Sequence, residues 1–378
     1  MFLGKGVIHD KRSCAELRNG EGLSRIRDGA AVAKLLLATR MFHIGVLVAL
    51  GCLENRIPMK KCMFMIKRFV SNQKYAHACY ERAREMYESA KKRGGKIREL
   101  KEWLMFESIG DRLDKGNRNI RLSSPSEVEV VVFTEHYGVE RVRLPIKPLK
   151  SHAEIIKELY ELGSNRFLGY NARCIIKSYS KDEALVEFQF VIPVELYLKH
   201  RKVYDRPRGR NICAIDWNSD RANLAIVSPR EELLDYKTWW FPEVTSHGYP
   251  RVTMRAKQSQ VLSEIMDYCY HHGGNVIVFE DPDAIKTREF TRSRTANRKI
   301  SRWAKREASQ MFVVKALRYG LKPVFANPAY TSKLAELITR DLSSDKHTAS
   351  AYILALEYLG LKPKEAYQNL QRLERPKV

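Results

Sequence analysis

The spacing of apolar and polar positions changes period twice along the chain. Up to about residue 125 apolar residues recur at helical intervals, as in YAHACYERAREMYESAKKRGGKIRELKEWLMFESI, so residues 1–125 are expected to form a helical region. From residue 126 to 204 the period shortens towards two. EVEVVVF, VERVRLPI, ARCIIKSYS and ALVEFQFVIPVEL are β-branched and aromatic runs, broken by one helical stretch, SHAEIIKELYELG. A small β-barrel or curved sheet is expected there, and no strand is evident ahead of the helical region. RKVYDRPRGR, Arg201 to Arg210, reads as a basic linker.

Beyond the linker, over residues 211–378, strands and helices alternate. ICAIDW, NLAIVS and LLDYKTWWF are strand-like and MRAKQSQVLSEIMDYCYHH is helical; strand NVIVFE, a helix, strand KPVFANP and a final helix follow. This is an α/β order that opens on hairpins, as in ribonuclease H-like folds. HHGG, His271 to Gly274, ends the first of these helices, with glycine supplying a left-handed cap.

Three acids interrupt this pattern. Asp216 closes the first strand in NICAIDWNSDRANLAIVS, Glu280 closes NVIVFE, and Asp345 opens the last helix in DKHTASAYILALEYLG. Taken singly they read as a turn residue, a strand-end charge and a helix N-cap. Gathered at one sheet edge they would repel one another unless a cation balanced them. Such a cluster suits two hard divalent ions about 3.5–4 Å apart, which stabilise the attacking and leaving oxygens of a phosphodiester displacement.

Charge narrows the partner. Lys and Arg number 67 against 44 Asp and Glu, a formal net charge of +23, in a chain that is 44% hydrophobic. A folded, strongly cationic protein of this kind suits a polyanion, with nucleic acid first, and the basic residues run through the whole chain rather than along one membrane-seeking helix. They are densest after Glu280, in IKTREFTRSRTANRKISRWAKR, where Lys286, Arg288, Arg292, Arg294, Arg298, Arg302, Lys305 and Arg306 are candidate phosphate contacts. Trp303 in that segment reads as core packing before base stacking, and His347 is a second-rank candidate for proton transfer.

The seven cysteines form no C-x-x-C pair, which points away from a disulfide framework and towards a reducing intracellular setting, cytoplasmic or nucleoid-associated. MFHIGVLVALGCL, Met41 to Leu53, falls short of the roughly 20 residues of a membrane span and is expected to be a buried helix; no membrane partner and no secretory signal are expected. A Gly-rich phosphate loop is absent from the sequence.

In order and content the motifs resemble the OrfB/TnpB-type transposon-associated family of RNA-guided nucleases, with a RuvC-like domain related to type V CRISPR effectors. AIDWNSDRANLAIVS is similar to the first RuvC-like motif, with Asn218 in its D-x-N form, NVIVFEDP to the second, and DKHTASAYILAL to the third. NPAYTSK, ending at Lys333, is similar to the segment after the next strand and adds Lys333 to the candidate nucleic-acid contacts. The resemblance implies an α/β, RNase H-like nuclease domain at 211–378 preceded by a helical recognition-like region and a β-rich wedge-like domain. It further implies Asp216, Glu280 and Asp345 as catalytic metal ligands for Mg²⁺ or Mn²⁺, two ions, and a DNA target chosen by a guide RNA. Family members commonly carry two C-x-x-C pairs after the TS segment, whereas KLAELITRDLSS has no cysteine, so no structural zinc is expected. Two other classes remain open: a cleavage-deficient nucleic-acid-binding regulator, and a guide-independent RNase H-like transposase or resolvase.

Overall fold

The computed structural model describes residues 17–92, 103–134, 138–281, 284, 293, 305–339 and 345–374. They fall into two compact units, the first ending at His200 and the second beginning at Arg201.

In the first unit β1 (Leu17–Ile26) leads into three helices, α1 (Gly29–Glu54), α2 (Met59–Lys67) and α3 (Gln73–Lys92). There follow β2 (Met105–Ser108), β3 (Ile120–Ser124), β4 (Glu127–Phe133), β5 (Val139–Pro145), β6 (Lys147–Pro148), α4 (Ala153–Ser164), β7 (Ala172–Tyr179), β8 (Ala184–Ile192) and α5 (Val194–Arg201). The division at residue 125 expected from the sequence is not reproduced. Strand β1 lies between β8 and β6 in the order β2-β7-β8-β1-β6, so the helices are an insertion between strands of one sheet. The period-two signal of LRNGEGLSRI is diluted by two glycines and three charged side chains, so the sequence pattern does not announce this strand. Strands β3, β4 and β5 form a separate antiparallel sheet. The expected strand ALVEFQFVIPVEL stops at Ile192, because Pro193 cannot donate to a ladder, and VEL starts α5 instead.

Helix α1 is longer than the apolar run that announced it. Its N-cap Asp28 accepts from the Ala30 N–H at 3.0 Å, and over 26 residues it is, among the described residues, the one helix long and apolar enough to cross a membrane. Leu35, Ala38, Phe42, Val46 and Ala49 make a buried stripe at helical spacing, packed on α3 and β4.

The second unit contains β9 (Asn211–Trp217), β10 (Arg221–Val227), β11 (Leu233–Trp240), α6 (Arg251–His271), β12 (Gly274–Glu280), α7 (Lys305–Arg318), β13 (Lys322–Ala326), α8 (Thr331–Ile338), α9 (Lys346–Leu359) and α10 (Pro363–Glu374). Its sheet has the order β11-β10-β9-β12-β13, antiparallel through the opening hairpins and parallel at β9–β12 and β12–β13. This is the RNase H-like α/β architecture expected from the sequence. Gly273, at φ +74, ends α6 as the left-handed residue that HHGG announces.

Strand alternation divides the core. Cys213, Ile215, Trp217, Leu224, Ile277 and Phe279 pack with residues of α6 and α7. Ile212, Ala214, Ala225, Val227, Val276 and Val278 pack on the opposite face with Ala351, Leu354 and Ala355 of α9. Both faces are covered, so β9 and β12 read as nearly continuous apolar runs rather than alternating ones.

Candidate active site

The even-numbered residues of β9 and β12, and the odd-numbered ones of β10, face α9. Asp216, Asn223 and Glu280 continue those series at the sheet end where the apolar residues run out. Asp216 and Asn223 are direct antiparallel partners, and Glu280 follows Phe279, which is paired with Ile215. All three are buried. Helix α9 packs over β9 and β10, and its N-cap is Asp345. The two strand ends and the helix start expected from the sequence therefore belong to one sheet face.

The side chains around Asp216 are held in a network. His347 Nδ1 is 2.9 Å from Asp216 Oδ2, Asn218 Nδ2 donates to the same oxygen at 3.1 Å, and Asn218 Nδ2 is 3.2 Å from the imidazole nitrogen. The bond to Asp216 raises the His347 pKa above its ordinary value; half-burial and the Arg221 charge oppose this, and the charges of Asp216 and Asp345 reinforce it.

Asp345 is turned towards its own helix. Its Oδ1 accepts from the His347 N–H at 2.9 Å and the Thr348 N–H at 3.3 Å, and its Oδ2 accepts from Thr348 Oγ1 at 2.7 Å. Burial pushes its pKa up, but the Thr348 hydroxyl, the two N–H groups and the His347 charge outweigh burial, leaving it below the usual carboxylate value.

Asn223 joins the parts. Its Nδ2 lies 2.8 Å from Thr238 Oγ1, 3.3 Å from Thr348 Oγ1 and 3.4 Å from Asp345 Oδ2. Its Oδ1 is buried with no hydrogen-bond partner. A buried amide oxygen without a donor is costly unless something occupies the space beside it. Sequence reasoning missed Asn223, although an amide within the apolar run ANLAIV was a visible signal.

The donor chemistry fits a hard divalent cation, since carboxylates and an orphaned amide oxygen are the ligands Mg²⁺ and Mn²⁺ take. Among the described residues no three His, Cys, Asp or Glu side chains converge closely enough to hold a metal together.

Of the basic candidates, Lys286, Arg288, Arg292, Arg294, Arg298 and Arg302 lie outside the described residues, while Lys305 and Arg306 open α7. Lys333 sits on α8 with Nζ 5.4 Å from the Tyr330 ring centroid and 5.8 Å from that of Tyr367, a cation held by aromatic rings of its own unit.

Residues 23–202 match a family model described as the SSO2105 N-terminal domain. The SSO2105 protein of Saccharolobus solfataricus is 33% identical over 259 residues, 68% of each chain. This chain belongs to the SSO2105 family. A further relative of this SSO2105-family protein, from Aeropyrum pernix, is 27% identical over 325 residues, covering 82% of this chain and 84% of its own. Among solved structures, the Cas12f1 chain of a complex with sgRNA and target DNA superposes with a TM-score of 0.50 at 9% identity, covering 86% of this chain and 82% of that one. The SSO2105-family chain thus shares the fold of that Cas12f1 chain.

Proposed function

We propose that this SSO2105-family chain is a metal-dependent DNA endonuclease of the OrfB/TnpB type that takes its target sequence from a bound guide RNA. The observation carrying the reading is the presence of Asp216, Glu280 and the α9 N-cap Asp345 on one face of one sheet. Asp216, Glu280 and Asp345 would hold Mg²⁺ or Mn²⁺, which when bound polarises the phosphodiester and lowers the pKa of water. The chain's own residues set the stage for that chemistry. His347 and Asn218 fix the Asp216 carboxylate, Thr348 keeps Asp345 ionised, and Asn223 links Asp345 to the strand beside Asp216. Support for the guide comes from the motif resemblance, the likeness to a fold whose solved example carries sgRNA and target DNA, and a net charge of +23 that suits a channel for a heteroduplex.

A cleavage-deficient nucleic-acid-binding regulator is the second reading. It draws on the absence, among the described residues, of a converged three-ligand group. Sequencing RNA that copurifies with the chain, then presenting DNA complementary to it with Mg²⁺, separates the two. A defined RNA that directs cutting supports the nuclease; a defined RNA that directs binding without cutting supports the regulator.

A further inference from the structure

On the same sheet face as the carboxylates, two strands away, an indole stands exposed. Trp240 ends β11 opposite Arg221, in a ladder where Thr238 pairs with Asn223 and Asn223 with Asp216. Direct cross-strand partners project to the same side, so Asp216, Asn223, Thr238, Arg221 and Trp240 all face the α9 side. With strands about 4.8 Å apart and a rise of about 3.4 Å per residue, the backbones of Trp240 and Asp216 are roughly 12 Å apart.

The neighbouring indole serves as an internal comparison. Trp239 points to the other face, packs edge-on against Tyr268 at 5.7 Å and adjoins the core beneath α6. Trp240 is 59% exposed, and the contact that orients it is the Arg221 guanidinium, whose carbon lies 4.3 Å from the ring centroid. Arg221 is itself braced by Asp220, with Nε 3.4 Å from Oδ1. A large apolar ring held by a stacked cation at the rim of a site costs hydration and adds little to the core. It matches the way proteins receive unpaired bases, with the base on the aromatic ring and the guanidinium near the adjoining phosphate.

We propose that Trp240 and Arg221 form a stacking platform for an unpaired base of single-stranded DNA as the strand enters the acidic site. The platform rests on the nuclease reading for its role and on its own geometry for its existence. Duplex DNA, whose bases are already stacked, does not use it.

The test is equilibrium binding of a fluorescein-labelled oligothymidylate to the full chain in EDTA, read by anisotropy, so that no cutting is involved. Trp240→Ala is expected to weaken binding roughly 5- to 150-fold, the range for loss of one base–aromatic stack. Trp240→Phe should keep most of the affinity, and Trp240→Leu, apolar but not aromatic, should lose it. Binding to a blunt duplex should be the same for all four proteins, and unchanged thermal midpoints show that the fold is intact. Unchanged affinity of Trp240→Ala for the single strand overturns the proposal, as does an equal loss on single strand and duplex, or a loss confined to oligouridylate RNA. Separate Mg²⁺-dependent cleavage assays on the wild type report on the nuclease reading, so either conclusion can fall alone.

Discussion

His347 Nδ1 lies 2.9 Å from Asp216 Oδ2, tying the first turn of α9 to the end of a strand 131 positions earlier. The same turn carries the cap Asp345, so one contact fixes the first acid of the site relative to the third.

That contact gives the protein a definite pH dependence. Since Asp216 raises the His347 pKa, the pair contributes stability that is fully present below the ordinary histidine value of 6.5 and is lost as pH rises through the raised one. Thermal midpoints followed from pH 5 to 9 should show this loss in the wild type and a flatter profile in His347→Ala. A profile unchanged by the substitution would mean that the contact carries no net charge interaction.

Asn223 should separate stability from activity. Asn223→Ala removes a buried oxygen that has no partner and also the amide that reaches Asp345. The thermal midpoint is therefore expected to move little, while the Mg²⁺ concentration for half-maximal cleavage rises by about 10- to 100-fold, the usual effect of losing a group that orients a ligand. Titration of cleavage against Mg²⁺ measures this.

Asp345 has two roles that isosteres can divide. Asp345→Ala should lower stability by about 1 kcal/mol through loss of the N-cap, whereas Asp345→Asn keeps an oxygen for the His347 and Thr348 N–H groups and should retain most of it. Both should lose cleavage. Denaturant unfolding curves beside cleavage assays decide the matter; an Asp345→Asn protein that keeps cleavage as well as stability would reduce Asp345 to a cap.

Lys315 on α7 provides a control away from the site. Burial, helped by the Arg318 charge, lowers its pKa from 10.5 to about 8, while its Nζ donates to Ser263. A lysine depressed in the folded state favours the neutral form there, so stability should increase as pH rises from about 8 towards 10.5. Lys315→Met should abolish that increase in thermal midpoints.

The second unit was legible because its elements carry strong periods. The apolar runs ending at Asp216 and Glu280, and the D-K-H-T start of α9, marked strand ends and a helix cap before any backbone was seen. The first unit was harder. Strand β1 carries two glycines and little apolar signal, and its partners β8 and β6 are far along the chain, so the pairing that unites the unit is non-local. Asn223 and Trp240 were overlooked for another reason. An amide in a strand and a Trp beside another Trp acquire meaning only through register, which sets Asn223 against Asp216 and Trp240 against Arg221.

The central claim, that Asp216, Glu280 and Asp345 act as one metal-dependent unit, is tested most directly by DNA cleavage with the chain bound to its copurifying RNA. Wild type, Asp216→Ala, Glu280→Ala and Asp345→Ala are compared on matched DNA with Mg²⁺ and with EDTA, with binding measured in parallel. The account predicts cutting by the wild type in Mg²⁺ alone, none by any of the three variants, and near wild-type binding by all of them. Cleavage by Asp216→Ala at the wild-type rate, or no cleavage by the wild type with either Mg²⁺ or Mn²⁺, would contradict it.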